Sequence, residues 1–323
     1  MVRVEICLGV NCLDLVTMRK VLFISLWGSL AFLACNKEAE VSLVDEVKHV
    51  VISANDFKNE FESRTNLSIS SEGAIFSWAS KDTVGIFPND GAQVYFPMEE
   101  GAGTKTASFT GGGWALKNGF TYSAYYPFIG NYYVDRENLP LQYTGQKQTG
   151  NASTAHLGEY DFMAARPTAP RSGYVNFQFD HLSCLVQMRL TVPVASTFTS
   201  LRLSGDESVF TNKAKFGFSG SNYTFTSIEN TNQLDLELVD IASTEVGQLL
   251  TFYMMMAPLD MTGKTIHVSL LGSDNKTYRG ILESKNMQAG YSYDFQVTLE
   301  EVTDNLSAVD IKAPGLGNAE HEI

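Results

Sequence analysis

From residue 48 onward, apolar and polar residues alternate in short runs, and the alternation breaks at Gly, Asn, Asp or Pro. A two-residue period turns one face of an extended strand toward a core and the other toward water. Cys184, Val186, Met188, Leu190 and Val192 make one such face, opposite Gln187, Arg189 and Thr191. Leu234, Leu236 and Leu238 oppose Asp235 and Glu237; Tyr291, Tyr293, Phe295, Val297 and Leu299 oppose Ser292, Asp294, Gln296 and Thr298. The same reading predicts strands over 48–52, 75–78, 83–87, 93–96, 106–109, 121–126, 132–134, 174–179, 200–203, 213–218, 249–256, 265–271 and 277–282. No run of helical period separates them to make parallel crossovers, so the chain is expected to be all-β and built of antiparallel sandwiches. The Pro-rich polar stretch 166–173 predicts a seam between two modules, 65–170 and 171–301. A long loop within one module, or a single long sandwich, would read the same way.

Composition supports strands over helices. The 323 residues include 14 Tyr and 20 Phe with only 18% charged residues, and long runs of Ala, Leu, Glu and Lys are missing. The formal net charge of −13 repels phosphate backbones, which argues against a nucleic-acid partner. At the N-terminus, Met18, Arg19 and Lys20 precede an uncharged apolar run, 21–34, that ends at Cys35. That run is shorter than the roughly 20 residues a membrane-spanning helix needs, so 18–35 is expected to be a secretion signal. Its ending, Phe32-Leu33-Ala34-Cys35-Asn36, resembles a lipobox, in which the Cys35 thiol receives diacylglycerol and anchors the chain to the outer membrane. The polar residues 36–40 then read as a tether. Glu5 and Asp14 do not suit a signal peptide, so 1–17 is expected to lie ahead of the true start at Met18. Cys184, in an alternating strand, is expected to be a small buried hydrophobe.

No catalytic constellation emerges, and neither an enzyme nor a cofactor is expected. The five His residues have no spacing that places two on one metal, and His181 reads as a strand-edge or turn residue. Gly111-Gly112-Gly113 lacks the Lys and Ser or Thr of a phosphate loop. Glu99-Glu100 and Glu300-Glu301 point opposite ways in extended chain, unlike paired glycosidase carboxylates. Tyr125, Tyr126, Tyr132 and Tyr133 cluster, and as exposed rings they would stack on sugars; sandwich core is the other reading.

Several motifs follow one another in a suggestive order. After the Cys35 lipobox come a first strand, a basic cleavage point at Arg64-Thr65, and Trp78-Ala79-Ser80-Lys81-Asp82-Thr83-Val84-Gly85-Ile86-Phe87. Then come 122–127, Asp161-Phe162-Met163-Ala164-Ala165 and Phe177-Gln178-Phe179-Asp180-His181-Leu182-Ser183. This order resembles the fimbrillin (Mfa-like) family of Bacteroides-type pilins. The resemblance implies two tandem transthyretin-like β-sandwich domains behind a lipoprotein signal, and cleavage after an arginine that removes the first strand. The matching bond lies between Arg64 and Thr65, so 36–64 would be a propeptide whose strand carries Val47, Val50, Val51 and Ile52. Removing it exposes an apolar groove and an unpaired sheet edge, which another subunit's strand can fill by β-augmentation.

On this reading the chain is a structural and adhesive pilus subunit at the outer surface. Its partners would be other fimbrial subunits and host or bacterial surface ligands. The alternative is a surface lipoprotein that binds glycans through the four tyrosines and never polymerises. The family's shaft subunits are expected to carry a C-terminal donor strand. In 302–323, Val309 and Ile311 alternate, but Pro314, Gly315 and Gly317 follow, which makes this a weak donor, argues against a shaft role and leaves tip, minor and anchoring roles open.

Overall fold

The alternating runs fold as strands, and no α-helix occurs among the residues described, which are 46–47, 49–59, 69–70, 73–74, 76–88, 91–111, 115–130, 133–170, 175–220 and 222–302 of the computed structural model. The N-terminal half holds β1 (His49–Ala54), β2 (Thr83–Pro88), β3 (Val94–Glu100), β4 (Thr106–Thr110) and β5 (Tyr122–Tyr126). It continues with β6 (Leu139–Gln142), β7 (Lys147–Thr149), β8 (Met163–Thr168) and β9 (Asn176–His181). The C-terminal half holds β10 (Cys184–Thr191), β11 (Thr197–Gly205), β12 (Phe210–Ser219), β13 (Asn222–Thr231) and β14 (Gln233–Ala242). It ends with β15 (Leu249–Met256), β16 (Ile266–Gly272), β17 (Thr277–Leu282) and β18 (Tyr291–Thr298). All fall within one compact unit, Val44–Ile323.

Seven strands close into a barrel in the order β5-β8-β9-β1-β4-β3-β2. Antiparallel sandwiches were expected throughout; here the sheet closes on itself, because β2 and β8 flank β5 while β1 bridges β4 and β9. The β1–β9 pairing is the barrel's one parallel pairing. Its interior is filled by alternate residues, among them Val84, Ile86, Phe96, Phe109, Phe177 and Phe179, around Trp78. The stretch 166–173 does not separate two modules: its first three residues belong to β8, which is an antiparallel neighbour of β9 in this barrel. The chain crosses instead after β9, where Cys184 opens the second body.

That body is a sandwich. One sheet runs β7-β14-β11-β16-β17 and ends on Glu300–Glu301; the other runs β15-β10-β18 and ends on Lys58–Asn59. A single core of residues such as Met188, Leu201, Leu236, Phe252, Leu270 and Phe295 lies between them. A third sheet, β6-β12-β13, packs Leu139, Leu141, Phe216 and Phe218 against Phe87, Tyr125 and Phe162. Strand β5 and the first half of β8 are therefore buried on both faces, which the unbroken burial of Tyr122–Tyr126 and of Met163–Ala165 records.

The outer edge of β15 pairs with side chains in place of a strand. Gln146 accepts from the Met255 N–H (2.9 Å) and donates to the Met255 carbonyl (2.6 Å). Gln148 accepts from the Tyr253 N–H (2.8 Å) and donates to the Thr251 carbonyl (3.0 Å), and Asn151 accepts from the Thr251 N–H (2.7 Å). Three amides thus occupy backbone groups that an open edge offers to other chains.

Candidate functional site

The first strand is an internal element of the barrel. Val51 to Ala54 pair parallel with Asn176 to Phe179, and His49 to Ser53 pair antiparallel with Thr110 to Thr106. Val47, Val50, Ile52 and Ala54 face the core and are buried. On the outer side His49 Nδ1 meets Glu99 (2.7 Å), the Ser53 and Thr106 hydroxyls share a hydrogen bond (2.8 Å), and the Val51 N–H donates to Val175 (3.0 Å). Without β1 the barrel would be an open sheet with two unpaired edges, on β4 and β9, and a gap in its apolar lining.

Just past β1 the chain bends and is gripped again. The Asn55 N–H donates to the Phe179 carbonyl (3.3 Å), Asn55 Nδ2 donates to Asp180 (2.9 Å), and Gln178 donates to Asn55 Oδ1 (2.9 Å). His181 Nε2 donates to the Asn55 carbonyl (2.7 Å) while Nδ1 lies 2.7 Å from the Asp161 carboxylate. A carbonyl can only accept, so Nε2 carries a proton; the Asp161 carboxylate favours a second proton on Nδ1 and hence the imidazolium form. Burial opposes that charge, but Asp161, through its charge and its hydrogen bond, together with the Asn55 carbonyl and the more distant Asp56, outweighs burial and raises the His181 pKa above the usual histidine value. Phe57 stacks on the imidazole (centroids 3.8 Å apart) and packs on Leu185, Tyr253 and Met255, the outer face of the β15-β10-β18 sheet. Lys58–Asn59 then pairs with Tyr291 and Ser292, and Asp56 bonds Lys105. One segment thus completes the barrel and binds the sandwich.

The ordered motifs converge around this segment. Trp78 is buried at the centre of the barrel, edge-on to Phe109 and Tyr126, and donates to the Lys105 carbonyl (3.1 Å). Asp82, its pKa raised by burial, accepts from the Ala79 N–H (2.7 Å) and the Tyr126 hydroxyl (2.9 Å). Gly85 leaves room for the Tyr125 ring, which a Cβ would meet at 2.1 Å.

Of the four clustered tyrosines, Tyr125 and Tyr126 are core residues rather than exposed rings. Tyr125 is 0% and Tyr126 7% exposed, because β5 is covered on both faces, and burial raises both hydroxyls, that of Tyr125 to about 12. Tyr133 is 92% exposed. Cys184 is buried, its thiol pushed up to about 12 by desolvation. Tyr132, Cys35, the signal and tether, Arg64, Thr65 and 303–323 lie outside the described residues. Among the described residues no group of His, Cys, Asp or Glu could hold a metal. Sequence reasoning missed the His181 grip. Its trace was there, since His181 shares two-residue parity with Phe177 and Phe179 and so continues an apolar face.

The fold, a barrel joined to a β-sandwich with the first strand buried in the barrel wall, resembles solved structures. A candidate cell adhesion protein from Bacteroides ovatus superposes with a TM-score of 0.51 at 18% identity, over 79% of this chain and 96% of that one. One from Bacteroides uniformis gives 0.51 at 14% identity, over 79% and 94%. A comparison with curated protein sequences returns no match. The family model described as fimbrillin-like matches residues 62–313. The chain belongs to the fimbrillin-like family.

Proposed function

We propose that this chain is a structural and adhesive pilus subunit of the cell surface that assembles by strand exchange. It leaves the cell as a lipoprotein carrying lipid on Cys35. Cutting between Arg64 and Thr65 frees the segment that includes β1, and an extended strand of another subunit fills the slot between β4 and β9. The barrel and the sandwich correspond, on this reading, to the two transthyretin-like modules of the family.

One observation carries the reading: the strand inside the barrel wall lies upstream of residue 62, where the family match begins. A strand buried on its inner face and paired on both sides, yet outside the match, suits a part that is present during folding and absent from the polymer. The experiment is treatment of the purified chain, lacking its signal, with an arginine-specific protease. The expected result is one cut after Arg64, loss of the segment and a ladder of oligomers resistant to mild denaturation. Release of the segment with only monomers remaining, or a ladder from uncut protein, would overturn the proposal.

A further inference from the structure

The slot alone cannot set the register of an incoming strand. Its inward positions, filled by Val50, Ile52 and Ala54, repeat every two residues, so a slip by two keeps every side chain on its correct face. The continuation breaks that period. Phe57, the next buried side chain, comes three residues after Ala54, where the chain bends over His181. Upstream, Val47 precedes Val50 by three. The buried side chains therefore follow spacings of three, two, two and three, a pattern that fits one register only.

Building on the strand-exchange reading, we propose that the site formed by His181, Asp161 and the Leu185, Tyr253 and Met255 face is a register-setting site for the incoming strand. It takes a backbone carbonyl one residue past the last small inward side chain, and a large apolar side chain two residues beyond that carbonyl. The occupant is residues 306–316 of a second copy of this chain. Leu306, Val309, Ile311, Ala313 and Leu316 repeat the same spacings and place Val, Ile and Ala where β1 has Val, Ile and Ala. Pro314 then offers its carbonyl to His181 Nε2, and Leu316 replaces Phe57. Pro314 has no N–H for the Phe179 carbonyl that Asn55 serves, so the copied strand makes one backbone bond fewer. Because Phe57 rests on the sandwich while β1 lies in the barrel, filling this site also ties the two bodies of the acceptor together.

The test uses the full chain freed of its N-terminal segment by the protease, with release verified by intact mass and the still-monomeric fraction isolated at once by size exclusion, and a fluorescent peptide of residues 305–317 followed by anisotropy. The expected result is saturable binding that weakens roughly tenfold or more in a Leu316→Ala peptide. A peptide lacking Gly315, which shortens the last spacing to two, should lose as much, and Pro314→Asn should tighten binding. A His181→Gln protein should bind the parent peptide more weakly but discriminate less between parent and Leu316→Ala. Equal binding of the parent, Leu316→Ala and Gly315-deleted peptides would overturn the register site. Binding of a peptide of residues 46–59 but not of 305–317 would overturn the second copy as occupant while strand exchange stands. Failure of both peptides would overturn strand exchange itself.

Discussion

The position of β1 makes a sharp prediction about two adjacent residues. Ile52 is fully buried, in register with Phe177 on β9 and Ala107 on β4, whereas Val51 points outward from the barrel and is only half-buried. Ile52→Ala removes three carbons from the barrel interior. At about 0.8 kcal/mol per buried methylene the transfer loss alone is about 2.4 kcal/mol, and the cavity left between two neighbouring strands brings the total to about 2–5 kcal/mol. Val51→Ala deletes less apolar surface, leaves no cavity and should cost under about 1 kcal/mol. Urea denaturation of both full-chain variants, followed by tryptophan fluorescence from buried Trp78, measures the difference. Equal losses, or a larger loss for Val51→Ala, would refute the placement of β1 in the barrel wall.

Three more perturbations test the surrounding structure. His181 has a folded-state pKa raised above the ordinary histidine value, so its contribution is full below about pH 6.5 and fades as pH rises through the folded value; denaturation of wild type at pH 6 and pH 9 should show a fall that His181→Gln lacks. Gln148→Ala leaves the Tyr253 N–H unpaired, while the Thr251 carbonyl keeps the Ala152 N–H, and should cost about 1–3 kcal/mol, with light scattering rising on storage as the β15 edge is exposed; an unchanged melting curve would mean that the amides are dispensable. Gly85→Ala drives a Cβ into the Tyr125 ring, which Gln93 and Ile129 hold in place, and should destabilise by about 1–3 kcal/mol in a thermal melt.

Strands with clean alternation, such as β10 and β14, were legible because a core on one face and water on the other imprint a two-residue period. Those that escaped notice share physical reasons. β8 is rich in Ala, carries Pro167 and is buried on both faces at its start, so it shows no alternation. β13 pairs only with β12 among the described strands and is polar along most of its length, as an edge strand exposed on its other side can be. β6 contains Pro140 at an exposed position of an edge strand, where the missing N–H costs little. Conversely, 75–78 was expected as a strand for its apolar content, yet Phe76 to Trp78 form irregular chain that drops Trp78 into the barrel. The apolar slot was readable from residues 47–54; its terminal grip was not, because it joins Asn55, Asp161 and His181 across more than a hundred positions.

The lone parallel pairing in the barrel also bears on when the fold is completed. Val51 pairs with Asn176, and the neighbouring bond from Asn55 to Asp180 spans 125 positions. The β2–β3–β4 meander and the β8–β9 pair close through nearby chain, and β1 can pair with β4 early, but its other edge stays open until β9 has been synthesised and placed. The earliest strand to emerge is thus the last to be locked, and its departure would leave every locally closed hairpin of the barrel standing.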